Sequence, residues 1–195
     1  GTLNHTAAGN IGWGVAYTIS NGALLTSNGG VSDANAASMF AFGGLIGGNT
    51  SVNVTAGVNT IAGHVDMRGD SDTPSISNTN VNFTVASNAT LNVTAGISSH
   101  NYNNGAPVGL TKLGAGQMTF TGANTYTGGT TISAGALQFT QKAALPASSA
   151  LTVSSGATAI FNVGGTGDFA AGDISPRLSG FPTGSVLALD TSHAS

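Results

Sequence analysis

Five of the chain's ionisable side chains fall in one nine-residue stretch: His64, Asp66, Arg68, Asp70 and Asp72, in Gly63-His64-Val65-Asp66-Met67-Arg68-Gly69-Asp70-Ser71-Asp72. On a strand, His64, Asp66 and Arg68 would share one face, because side chains repeat every two residues. Such a face could act on a polysaccharide, since glycoside hydrolysis uses two carboxylates held about 5–9.5 Å apart. Asp66, Asp70 and Asp72 could also offer oxygens to Ca²⁺, but no recognised calcium-loop spacing is present. Arg68-Gly69-Asp70 is the integrin-recognition tripeptide, a three-residue signal that counts only on a prominent, exposed loop. The competing reading is a solvated loop at a corner between strands, an interaction loop without catalysis.

The rest of the chain offers little chemistry. His5, His100 and His193 have no partners at metal-ligand spacing, and no H-E-x-x-H occurs. No phosphate-binding glycine loop runs into Lys-Ser/Thr, and no G-x-S-x-G marks a nucleophile. Cysteine is absent, which removes disulfides and thiolate metal sites. The formal net charge is −3 with no basic cluster, which argues against nucleic acid and against an anionic membrane surface. No catalytic residue, metal or cofactor is expected. Six N-x-S/T sequons follow from a composition rich in Asn, Ser and Thr.

What would position these residues is a set of short strands. Charged residues make up 6% and hydrophobic ones 40%, which is too apolar for a disordered chain. No apolar run approaches the roughly 18 residues of a membrane helix. Leu110–Leu113, Gln117–Thr121, Thr130–Ser133 and Ala136–Phe139 read as strands by alternation and β-branching. Gly114, Gly116, Gly122, Gly128, Gly129 and Gly135 punctuate them. Val15–Ile19, two strands within Leu151–Val163 and a last one at Ser185–Asp190 continue the pattern. Asp33–Met39 is the best candidate for a helical turn. Residues 164–184 are richer in Pro, Gly and Asp and predict an excursion from the regular structure.

The stretch from Gly109 to Phe139 resembles the autotransporter-associated β-strand repeat of long bacterial surface proteins. The residues that carry the resemblance are Gly109-Leu110-Thr111-Lys112, Gly114, Gly116, Gly122-Ala123-Asn124-Thr125-Tyr126-Thr127-Gly128-Gly129-Thr130-Thr131 and Ala134-Gly135. It implies a secreted or outer-surface protein. A member of that family begins with a signal peptide and ends in a membrane barrel, so the sequence in hand is expected to be a processed form or a fragment.

Internal echoes point to stacking. Ser51-Val52-Asn53-Val54-Thr55-Ala56-Gly57 returns as Thr90-Leu91-Asn92-Val93-Thr94-Ala95-Gly96 and, degenerate, as Ile132-Ser133-Ala134-Gly135. A fixed period of 39 residues reads as two rungs of about 20. The expected fold is all-β: a right-handed parallel β-helix, or β-solenoid, over residues 1–195 as a single domain or fragment. Val54, Val93 and Ile132 should then be buried in vertical register, and Gly57, Gly96 and Gly135 should share a corner. Asn53, Asn59, Asn92 and Asn162 are candidates for a hydrogen-bonded ladder up the stack. The function expected is structural: a stalk, fibre or adhesive surface whose copies associate head-to-tail or continue a longer chain, with surface glycans as a further partner. The alternatives are a polysaccharide lyase or glycoside hydrolase on the same fold, and a glycan-binding adhesin module.

Overall fold

The computed structural model describes residues 2–5, 17–19, 24–27, 40–43, 50–68, 80–100 and 107–194. It is mostly β, and every paired strand runs parallel to its neighbours. Seventeen strands fall into three sheets. The largest orders β1 (Thr2–His5), β3 (Leu24–Ser27), β6 (Gly57–Ile61), β9 (Ala89–Val93), β12 (Gln117–Phe120), β14 (Ala136–Phe139), β16 (Thr158–Asn162) and β17 (Val186–Asp190). A second orders β2 (Tyr17–Ile19), β5 (Thr50–Val54), β8 (Asn80–Val85), β11 (Gly109–Leu113), β13 (Thr130–Ile132) and β15 (Leu151–Val153). The third holds β4 (Phe40–Gly43), β7 (Val65–Arg68) and β10 (Ile97–His100). The chain leaves one sheet and returns to it a circuit later, always beside its previous strand, which is compatible with a β-helix.

Alternation creates the core. In β8, Val81, Phe83 and Val85 are buried while Asn80, Asn82 and Thr84 face out. In β9, Ala89, Leu91 and Val93 do the same. Because each strand lies about 4.8 Å above the last, inward residues stack in columns. One column is continuous across the largest sheet in the register Leu3, Leu25, Ile61, Val93, Phe120, Phe139, Phe161, Leu189. Its rings meet edge-on between Phe120 and Phe139 at 5.9 Å and stacked between Phe139 and Phe161 at 5.5 Å. Phe169 closes the group edge-on against Phe161 at 4.8 Å. Such ring pairs add roughly 0.5–1.5 kcal/mol each beyond the area they bury.

The 39-residue register fails. Val54, Val93 and Ile132 are all buried, but Val93 belongs to the largest sheet while Val54 and Ile132 belong to the second. Even within that sheet, Val54 pairs with Val85, whereas Ile132 shares a column with Lys112 and Phe83. Gly57 and Gly135 do occupy the same corner, in register with Ala89 and Gly116, and both have positive φ, 71° and 66°. Gly96 instead precedes β10 in the third sheet. The echoed peptide marks a strand followed by a corner, and the chain uses it at two different corners. Circuit length also varies. Leu110, Thr130 and Leu151 follow one another at 20 and 21 residues, which fits the expected 20. Thr50 and Val81 are 31 apart, and Thr60 and Asn92 are 32 apart.

Between β16 and β17 the chain forms one helical turn, α1 (Ala171–Ile174), then a 3-10 helix over Ser175–Gly180. The 3-10 helix lies on the edge of β15, where a Cβ on Gly180 would fall 1.8 Å from the Leu151 carbonyl oxygen. Asp33–Met39 lies outside the described residues.

Candidate functional site

His64 sits immediately before β7, and Asp66 and Arg68 lie within it. Val65 and Met67 alternate with them and are buried. The half-buried His64 ring shares a hydrogen bond with Ser98 Oγ at 2.9 Å, one circuit up. Asp70 and Asp72, and with them the integrin-type tripeptide as a unit, lie outside the described residues. The structure therefore brings three of the five together on or beside one strand. Among the described residues no group of three His, Cys, Asp or Glu is close enough to hold a metal.

The repeat-like segment contains a different polar centre. Lys112 occupies an inward position of β11 and is fully buried, between Phe83 and Ile132 in register. Its ammonium donates to the carbonyls of Leu113 at 2.9 Å, Gly114 at 2.7 Å and Ala134 at 3.1 Å. Three donors thus meet three acceptors. Burial pushes the Lys112 pKa down to about 8. The lysine closes the corners of two successive circuits, one of which turns at Gly114 with φ 74°.

A second centre fills the third side of the short circuits. Asn124 is buried and bridges three levels: its Oδ1 accepts from Ile97 N–H at 2.8 Å, its Nδ2 donates to the Ala144 carbonyl, and its backbone N–H donates to the Ala143 carbonyl at 2.8 Å. Two residues on, the buried Tyr126 hydroxyl bonds Thr130 Oγ1. Thr130 Oγ1 is also bonded to Ser149 Oγ at 3.1 Å, and Ser149 donates to the Gly128 carbonyl at 2.9 Å. Burial raises the Tyr126 pKa to about 12, so the phenol stays protonated. Gly128 lets the loop lie against the next circuit, for a Cβ there would fall 2.3 Å from the Gly109 nitrogen.

Over this side lies a cleft of about 720 Å³. Leu145, Pro146 and Phe169 give it apolar walls, and Lys142, Asp173 and Arg177 stand at its edge. Lys142 pairs with Asp173 at 2.6 Å, and Asp173 also accepts from Ala170 N–H at 3.0 Å. The hydrogen bond from Lys142 and the one from Ala170 hold the Asp173 carboxyl below its usual range. Arg177 donates to the Ser149 carbonyl at 2.9 Å and the Pro146 carbonyl at 3.3 Å, tying the 3-10 helix to the preceding corner. Asp173 is the lone carboxylate lining this cleft, ion-paired and poorly suited to give up a proton at neutral pH. Nothing here pairs two carboxylates across a groove as glycoside hydrolysis requires.

Of the four ladder candidates, Asn162 takes part. Gln117 donates to Gln138 Oε1 at 3.0 Å, and Gln138 Nε2 donates to Asn162 Oδ1 and Asp190 Oδ2, each at 2.9 Å. This amide ladder runs across β12, β14, β16 and β17. Asn59 is buried and bonds the carbonyls of Ala56 and Gly57 in its own corner. Asn53 and Asn92 are half-buried and pair in register with Thr84 and Thr119. The ladder's glutamines, Lys112 and Asn124 were the residues that sequence reasoning missed. The parity of Lys112 with Leu110 along one strand was the available signal.

No helix among the described residues is long and apolar enough to cross a membrane. No curated protein and no solved structure matches the chain. Residues 110–139, which span β11 to β14 and include Lys112, Asn124 and Tyr126, match the Passenger-associated-transport-repeat family, the kind of repeat found in autotransporter passengers.

Proposed function

We propose that this chain is a non-enzymatic structural segment of a secreted or outer-surface bacterial protein of the passenger type. Its fold on this reading is a right-handed parallel β-solenoid, the hand that parallel β crossovers take almost without exception. It serves as a stalk, fibre or adhesive surface. The observation that carries this reading is the unbroken parallel register of eight strands, with the passenger-type repeat supplying two of its circuits. Stacked circuits make a particle whose length grows with circuit number while its cross-section stays constant. Low charge suits such stacking, since like charges one strand apart would repel. The buried polar groups also fit a structural role: Lys112, Asn124 and Tyr126 spend their hydrogen bonds on neighbouring circuits and present no reactive group to solvent. Small-angle scattering tests the shape. A rod of constant cross-section is expected; a compact, isometric particle would overturn the reading. Cleavage of a polysaccharide that is lost in Asp66→Asn/Asp70→Asn would overturn the non-enzymatic part.

A further inference from the structure

The largest sheet ends differently from its neighbour. The 3-10 helix covers the edge of β15 in the second sheet, but β17 has no strand beyond it among the described residues. Leu187 and Leu189 stand in register with the buried Ala159 and Phe161, yet they are 37% and 55% exposed. Val186 beside them is 46% exposed. The Val186 N–H bonds the Ala157 carbonyl and the Asp190 carbonyl accepts from Val163, so these residues turn their backbone groups toward β16. Alternation then leaves the N–H and C=O of Leu187 and Leu189 on the free edge. An apolar, unpaired edge without Lys or Pro is a template for another strand.

The opposite edge of the same sheet is β1, and all eight strands run parallel. The two edges of a parallel sheet are complementary by construction, one offering what the other accepts. We propose that β17 of one copy pairs in parallel with β1 of a second copy, so that the chain assembles head-to-tail through this sheet. The register is set by the apolar column: Leu3 and Leu189 hold its two ends, so the second copy's Leu3 extends the column beyond Leu189. In that register Asn4 falls beside Asp190, the acceptor that ends the amide ladder. Polarity agrees, because β1 (Thr2-Leu3-Asn4-His5) carries no acidic residue to oppose the Asp190 carboxylate. The contact is heterologous and does not close, so it propagates. The inference rests on the stacked-strand reading above and adds the partner and its edge.

Two variants test it, each charging one edge and leaving internal pairing intact: Leu187→Lys/Leu189→Lys at the tail and Leu3→Lys at the head. In sedimentation velocity the unsubstituted chain is expected to grow with concentration into species beyond the dimer. Each variant alone is expected to remain monomeric with an unchanged circular dichroism spectrum. Their equimolar mixture is expected to stop at the dimer, since one free tail meets one free head. An unsubstituted chain that stays monomeric overturns the proposal, as does a head-blocked variant that dimerises alone, which would mean tail-to-tail pairing. A monomeric mixture overturns it too. Scattering on the same samples separates the two claims: a monomeric rod removes only the assembly, whereas a compact particle removes the stacked reading beneath it.

Discussion

Circuits through residues 109–158 take 19 to 22 residues, whereas those through residues 50–97 take 31 or 32. The longer circuits spend their extra residues on the third sheet, with β7 and β10 supplying a strand each. The shorter ones close that side with Gly122–Gly129, which forms no strand. Asn124 takes over the strand's task there, its side-chain amide reaching Ile97 below and Ala144 above. Tyr126 supplies the bulk, and Gly122 and Gly128 allow backbone to lie on backbone. A few specialised side chains thus replace a regular element, which makes the short circuits compact and more sensitive to single substitutions.

The largest effect is expected at those glycines. Gly128→Val places a Cβ about 2.3 Å from backbone atoms of Val108 and Gly109, which cannot retreat. A loss of more than ~4 kcal/mol in urea unfolding is expected. Gly156→Ala is the control: its φ is 79° but nothing lies within 4 Å, so the cost should be about 1–2 kcal/mol. Equal losses at both positions would remove the argument from close approach.

Asn124→Ala should cost ~2–4 kcal/mol, because it orphans the Ile97 N–H and the Ala144 carbonyl in the interior. Hydrogen exchange localises the effect: protection should fall in β12, β14 and β16 and persist in β5 and β8. Uniform loss across both regions would show that Asn124 is not the local substitute for a strand.

Lys112 gives the comparison a pH dependence. Its folded pKa of about 8 lies below the unfolded value of 10.5, so between those values the unfolded chain binds more protons. Stability should therefore rise with pH across that window, with the burial penalty fully present below about pH 8. Lys112→Met keeps the packed stem, leaves the Leu113, Gly114 and Ala134 carbonyls without their ammonium, and should flatten the slope. Unfolding midpoints measured on both sides of the window would show it.

The smallest effect is expected for Tyr126→Phe, which removes the hydroxyl bonded to Thr130 and keeps the ring. About 1 kcal/mol is expected by thermal unfolding. A loss as large as that of Asn124→Ala would mean that the Tyr126–Thr130–Ser149 chain holds the loop more firmly than the amide does.

How much could be read from the residues alone follows the same division. Between 109 and 139 the glycines and β-branched runs located all four strands, because turn chemistry and alternation there are local properties. Circuit length was not local. It depends on corners whose residue count changes from one turn to the next, so a constant period of 39 aligned Gly57 with Gly135 and misplaced Gly96. The third sheet was legible in part: the alternation of Val65 and Met67 suggested a strand, but Ile97-Ser98-Ser99-His100 has almost no strand signal and forms one by pairing with β7. The candidate site was least legible. A charged cluster draws the eye to residues 64–72, while the groups that organise the molecule are a buried lysine and asparagine whose roles depend on carbonyls about 20 residues away.

The unequal circuits also bear on how the molecule yields under load. Pulled along its stack, a parallel coil peels one circuit at a time, and each circuit pays out its full contour length in exchange for a rise of about 4.8 Å. At roughly 3.4 Å per residue, a short circuit releases ~70 Å and a long one ~110 Å. A force–extension trace would therefore carry two step sizes in chain order. The molecule would behave as a two-gauge extensible tether, dissipating work in steps set by which circuits carry a third strand.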